Sequence, residues 1–188
     1  MHLVVVGASW GGMESLPTLL KGLPAEHEIA VAVAQHRHVS SGRELRRALQ
    51  RRSPLQVTDV EDKEPIEPGR VYLAPADYHL LVEPGRFALS TEGAVNFSRP
   101  SIDVLFESAA DAYRERTIGI ILTGTGRDGV AGLTRVKERG GAAIVEDPAS
   151  AVRGELPSAA AADVAADAVL PLQEIAPFVR TLVLQVAA

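Results

Sequence analysis

Val4-Val5-Val6-Gly7-Ala8-Ser9-Trp10-Gly11-Gly12 runs from a β-branched segment, through small residues, into a helical pattern. Leu3 to Val6 reads as a buried parallel strand, because it has no polar alternation. Met13, Leu16, Leu19 and Leu20 then recur at a helix period over Trp10 to Lys21. Ser9 therefore stands at a strand-to-helix elbow, beside the unpaired N–H groups that open a helix. A hydroxyl there is either a nucleophile whose oxyanion backbone donors can hold, or a residue of a phosphate-binding loop.

Working outward, Ile29 to Ala34 forms a second apolar strand ending in Gln35-His36. Gly42 to Arg52 follows as a basic amphipathic helix with Leu45, Ala48 and Leu49 inward. This βαβα opening predicts an α/β fold: a doubly wound, mostly parallel sheet flanked by helices. In the middle, Gln56 to Val60, Arg70 to Ala74, His79 to Glu83 and Phe87 to Ser90 are short strand-like pieces between Pro and Gly turns. They read as one sheet strand plus a β-hairpin excursion around residues 78–90. Ser101 to Tyr113 returns to helix with Ser101 as N-cap, and Thr117 to Leu122 resumes the sheet. Val130 to Arg139 reads as a helix closed by Gly140-Gly141, and Ala142 to Glu146 as a strand. A helix over Ser158 to Ala166 capped by Ser158, an edge strand at Val169-Leu170 and a helix over Gln173 to Val186 complete the pattern. With no internal repeat or long linker, residues 1–188 are expected to form one domain.

Composition narrows the function. The 188 residues are 46% hydrophobic, enough for a real core, and the net charge of −5 argues against a general nucleic-acid binder. The absence of cysteine excludes disulfides, thiolate metal sites and cysteine nucleophiles. No apolar run approaches the ~20 residues of a membrane span, and Met1-His2-Leu3-Val4 lacks the basic start of a signal peptide. A cytoplasmic protein without membrane insertion is the expectation.

In open α/β sheets, ligands sit at the carboxyl ends of the strands. Ser9, His36 and Asp128 all fall there, and together they offer a nucleophile, a base and an orienter. Other readings of the same residues exist. Gly7-x-Ser9-x-Gly11-Gly12 has the look of a dinucleotide loop, but Gln35-His36 stands where a ribose-binding acid belongs. His36 with His38, completed by Asp128, Asp77 or His79, has the residue types of a metal site. Asp128, between Arg127 and Gly129, also suits a plain turn or helix cap.

Five blocks in order resemble the catalytic domain of the chemotaxis protein-glutamate methylesterase family, CheB. They are Gly7-Ala8-Ser9 with Gly11-Gly12; Gln35-His36; Tyr72-Leu73-Ala74-Pro75 with Asp77 and His79; Arg99-Pro100-Ser101-Ile102-Asp103-Val104-Leu105-Phe106; and Ile121-Leu122-Thr123-Gly124 with Gly126-Arg127-Asp128-Gly129. The resemblance implies hydrolysis of glutamyl γ-methyl esters on the cytoplasmic helices of chemoreceptors, with methanol released, and deamidation of receptor glutamines. It places the serine, histidine and aspartate of the family on Ser9, His36 and Asp128, and the oxyanion donors on backbone N–H groups near Trp10 and Thr125. It implies no cofactor and no metal. Family members usually carry an N-terminal receiver domain; this chain starts at the first catalytic strand, which suits a stand-alone enzyme served by a separate receiver-type regulator, or an excised domain. Trp10, Arg37, His38 and Thr125 depart from the family's common residues, and Arg37 is expected to add charge at the cleft rim. Those departures keep two alternatives open: an esterase for another methylated signalling protein, and a receptor-binding module with weakened chemistry.

Overall fold

The computed structural model describes residues 1–24, 29–37 and 44–185, with the side chain of Gln185 left aside. A seven-stranded parallel sheet forms the centre, in the order β3-β4-β2-β1-β7-β8-β9. Its strands are β1 (His2–Ala8), β2 (Ile29–Gln35), β3 (Gln56–Asp59), β4 (Arg70–Leu73), β7 (Thr117–Ile121), β8 (Ala142–Glu146) and β9 (Ala168–Leu170). The strands β5 (His79–Glu83) and β6 (Arg86–Ser90) make the separate antiparallel hairpin. The four strands at the centre are apolar almost throughout, as strands covered on both faces must be.

Helices cover both faces. One face carries α1 (Gly12–Gly22), α2 (Glu44–Gln50) and α6 (Leu172–Gln185), whose Leu16, Leu20, Leu49 and Val179 pack on Val4, Val6, Val31 and Ile120. The other carries α3 (Ile102–Tyr113), α4 (Val130–Glu138), α5 (Glu155–Asp163) and the hairpin, with Phe106, Leu133, Leu156 and Phe87 buried against Val5, Ala32 and Val145. From β1 the chain winds first to β2 and later returns to β7 on the opposite side of β1. The strand order reverses there, and the crevice at the carboxyl ends of β1 and β7 is where such sheets bind ligands.

Two expectations are corrected. The middle of the chain supplies two sheet strands, not one: β3 and β4 pair with each other in parallel, and β4 pairs with β2. A four-residue strand at the sheet edge buries too little to show a clear period. The helix expected from Ser158 starts instead at Glu155, with Gly154 as N-cap and Pro157 inside the first turn. Proline is tolerated there because the first N–H groups of a helix have no intrahelical partner. Ser101 does cap α3, accepting from the Val104 N–H. Gly42 and Arg43 of the second predicted helix, and Val186 of the last, lie outside the described residues.

Candidate active site

Ser9 follows β1 directly, and the chain can turn into α1 there because Gly11 adopts φ 90°, a conformation open to glycine. The Ser9 carbonyl accepts from the Gly12 N–H at 3.1 Å and from the Gln35 Nε2 amide at 2.8 Å. Gln35 Nε2 also donates to the His36 carbonyl at 2.9 Å, tying the elbow to the end of β2. The Ser9 N–H donates to the Thr123 carbonyl at 3.0 Å. That leaves the next amides, Trp10 and Thr125, with no backbone or side-chain acceptor among the described residues.

The imidazole of His36 bridges the other two predicted groups. Its Nδ1 lies 3.2 Å from Ser9 Oγ and its Nε2 lies 2.7 Å from Asp128 Oδ2. A ring in this pose donates Nε2–H to the carboxylate and presents an unprotonated Nδ1 to the hydroxyl. A second hydroxyl, Ser98 Oγ, stands 3.5 Å from the same Nδ1. The sheet thus brings together all three side chains expected at its carboxyl edge.

Asp128 is almost wholly buried, 3% exposed, and is held by five donors. Oδ2 accepts from His36 and from the Ile102 N–H at 2.7 Å; Oδ1 accepts from Ser101 Oγ at 2.7 Å, Asn96 Nδ2 at 3.1 Å and the Asp103 N–H at 3.2 Å. Burial alone would push its carboxyl upward, but the bonds from His36, Ile102, Ser101 and Asn96 outweigh it and hold the group below the usual range. It also sits at the N-terminus of α3, where the helix dipole favours an anion. The carboxylate stays charged beside the imidazole.

Several contributors were not singled out from the sequence for these roles. Thr123 is fully buried: its N–H donates to Glu146 Oε2 at 2.7 Å, its carbonyl receives Ser9, and its hydroxyl joins the Trp10 carbonyl to the Arg153 backbone. Asn96 Nδ2 also donates to Asp103 Oδ2 at 2.7 Å. The signal for Ser101 was its capping position; Asn96 and Ser98 lie in a turn with no pattern to reveal them. Arg37 stands beside the site, lining a cavity with His36 and Arg99. Its guanidinium is folded inward, 8% exposed, donating to the Ala74 carbonyl at 2.7 Å with Asp59 at 3.6 Å. The unfilled carbonyl at the end of β4 draws it in. Trp10 remains 66% exposed, with the Arg153 guanidinium 5.7 Å from its ring centre.

Among the described residues, those named for a metal site gather no further than His36 with Asp128. His79 is buried, accepting from the Ser101 N–H at Nδ1 and donating to the Gly93 carbonyl at Nε2, while Asp77 pairs with Arg99. Among the described residues no group of three or more His, Cys, Asp or Glu could hold a metal ion, and His38 lies outside them. Nor is any described helix long and apolar enough to cross a membrane.

A doubly wound sheet with hydroxyl, imidazole and carboxylate in line at its switch point has the layout of a serine-type hydrolase. The CheB methylesterase family model matches residues 4–179, and the chain belongs to that family. It is 42% identical over 174 residues to a Leptospira interrogans protein named for protein-glutamate methylesterase and protein-glutamine glutaminase activity, covering 92% of this chain and 90% of that one. It is 40% identical to the protein-glutamate methylesterase FrzG of Myxococcus xanthus, covering 92% of this chain and 52% of FrzG. The catalytic domain of the Thermotoga maritima CheB methylesterase superposes with a TM-score of 0.90 at 35% identity, covering 98% of each chain. Those relatives, like the family, are named as hydrolases of carboxylic esters.

Proposed function

We propose that this protein hydrolyses glutamyl γ-methyl esters on the cytoplasmic helices of chemoreceptors, and deamidates receptor glutamines, with Ser9, His36 and Asp128 as the catalytic residues. The observation that carries the reading is the His36 ring, spanning from Ser9 Oγ at 3.2 Å to Asp128 Oδ2 at 2.7 Å. Trp10 and Thr125 support it through their backbone amides.

Nδ1 of His36 takes the hydroxyl proton of Ser9 as Oγ attacks the ester carbonyl, and Asp128 holds Nε2–H and stabilises the imidazolium. The developing oxyanion takes hydrogen bonds from the Trp10 and Thr125 N–H groups. Methoxide is a poor leaving group, so Nδ1–H protonates it and methanol departs. A water then gives a proton to Nδ1 and attacks the acyl carbon. Collapse returns that proton to Ser9 Oγ and frees the glutamate. An amide substrate follows the same path and releases ammonia. The site calls for no cofactor, and control would fall to a separate receiver-type regulator.

Incubation with a receptor fragment carrying radiolabelled methyl esters tests the reading. Labelled methanol should appear, should persist with a chelator present, and should fall by on the order of 10³-fold or more in Ser9→Ala. Methanol release at the wild-type rate from Ser9→Ala would remove the serine from its role.

A further inference from the structure

The turn Val95-Asn96-Phe97-Ser98 closes with two backbone bonds, Val95 N–H to the Ser98 carbonyl at 3.1 Å and Ser98 N–H to the Val95 carbonyl at 2.9 Å. Both central residues have positive φ, 49° at Asn96 and 63° at Phe97, the pattern of a type I′ turn. Asparagine accepts that conformation readily, whereas an aromatic residue is strained in it. The strain gains Phe97 no packing inside the fold, because its side chain is completely exposed. A bulky residue in a sparsely populated backbone region, with its ring in water, points to a demand outside the fold.

Its surroundings say which. Asn96 is bonded to Asp103 and Asp128, and Ser98 stands beside His36 Nδ1, so the turn is pinned to the active site on both sides of Phe97. Phe97 lines two neighbouring cavities, one of about 450 Å³ containing Ser9 and Asp128, the other of about 360 Å³ containing Arg37 and Arg99. His36 and Ser98 line both as well, so the two cavities adjoin at these three residues. A small ester at Ser9 is too short to cover a ring that also lines the second cavity. Covering the ring takes a substrate that continues past the reacting side chain, as a protein segment does.

We propose that Phe97 is a specificity-determining residue that packs on the protein segment bearing the reacting glutamyl ester, dividing the cleft so that the ester enters the Ser9 side and the segment's next side chains cross to the Arg37 side. This rests on the methylesterase reading above. The strained turn serves that contact by fixing the Phe97 backbone ahead of binding, so less freedom of the loop is lost when substrate docks.

Phe97→Gly tests it cleanly, since glycine after asparagine is the pair a type I′ turn favours and leaves Asn96 and Ser98 in place. Steady-state kinetics on the methylated receptor fragment and on p-nitrophenyl acetate are compared with thermal melting. The variant should melt higher than wild type. It should lose roughly tenfold or more in kcat/KM on the receptor fragment, mostly through KM, as loss of a buried ring contact implies, and less than threefold on the small ester. Phe97→Leu should recover part of the receptor loss. Equal losses on both substrates, or an unchanged KM for the receptor fragment, would overturn the proposal while leaving the esterase reading intact. Wild-type protein that hydrolyses p-nitrophenyl acetate but frees no methanol from the receptor would overturn both.

Discussion

Asp103 and Asp128 each cap the helix that the other one begins. Asp128 precedes α4 and accepts from the Ile102 and Asp103 N–H groups that open α3. Asp103 sits in the first turn of α3 and accepts at Oδ1 from the Gly129 and Gly132 N–H groups at 2.9 and 2.7 Å, at the start of α4. Asn96 donates to both carboxylates, so the pair is linked without an intervening cation. Two helix N-termini make room for two acids, and the one facing His36 is the more strongly held.

Asp128→Asn keeps the shape of that side chain and breaks its logic. Every group facing the carboxylate is a donor, so an amide NH₂ meets another donor whichever way it turns. Directed at His36, it forces the proton onto Nδ1, and the ring can no longer accept from Ser9. Turnover should fall by about 10³–10⁴-fold in protein that still folds. Kinetics on the methylated receptor fragment, with circular dichroism to confirm folding, check this; a loss under tenfold would deny Asp128 its orienting role.

The two acids should also respond to pH with opposite signs. Burial pushes the Asp103 carboxyl up from 3.8 to about 6; the Gly132 N–H offsets part of this and the charge of Asp128 adds to it. In the unfolded chain it ionises near its ordinary value, so above pH 6 the folded state carries a buried charge at a cost. That cost, on the order of 2–3 kcal/mol, is relieved as pH falls through about 6 toward 3.8. Asp128, held low, contributes stability above its unfolded value that is lost only as pH falls below about 3.8. Asp103→Asn removes the first titration and leaves the others in common. The stability of wild type relative to Asp103→Asn should therefore increase between pH 7 and 4.5 in urea denaturation. Parallel curves would mean that Asp103 does not titrate in that window.

How much of this was legible in the sequence follows from the physics of each part. β1, β2, β7 and β8 are continuous apolar runs, so the sheet could be placed from pattern alone; Ser9 and His36 lie where two of those runs stop and Asp128 in the loop after a third, which marked all three as candidates while a turn or cap role stayed open for Asp128. β3 and β4 are four residues each, too short to show a period, and β3, at the sheet edge, buries only Val57 fully. Asn96, Ser98 and Thr123 act through hydrogen bonds to residues distant in the chain, which leave no local period. The inward fold of Arg37 depends on the free carbonyl of Ala74, a partner 37 residues away.

Thr123 should behave as the anchor of the elbow that carries Ser9, the proposed nucleophile. Thr123→Val is isosteric but leaves the Trp10 and Arg153 backbone groups without their hydroxyl partner. That should cost about 1–3 kcal/mol of stability and lower kcat by loosening Ser9, whose N–H rests on the Thr123 carbonyl. Thr123→Ser retains the hydroxyl and should keep most of both. Paired measurements of melting and turnover test this; equal behaviour of the valine and serine variants would show that the hydroxyl is idle.

Gly124 tests the same elbow by steric means. A Cβ built there would lie 2.7 Å from Ser9 Cβ, 3.0 Å from Leu156 Cδ2 and 3.2 Å from the Ser9 nitrogen. The Gly124 backbone cannot easily retreat, since its N–H donates to the Arg153 carbonyl at 2.9 Å and its carbonyl accepts from Leu156 at 3.0 Å. Relief in Gly124→Ala must come largely from Ser9, shifting Oγ against His36. A displacement approaching 1 Å costs on the order of 10²-fold in rate. Gly85→Ala is the matched control: φ is 79° in open space at the tip of the hairpin, so the change strains the backbone without touching the site. It should lower stability by about 1–2 kcal/mol with turnover retained. If Gly124→Ala lost stability but kept its rate, the tight packing behind Ser9 would not be what holds the nucleophile in line.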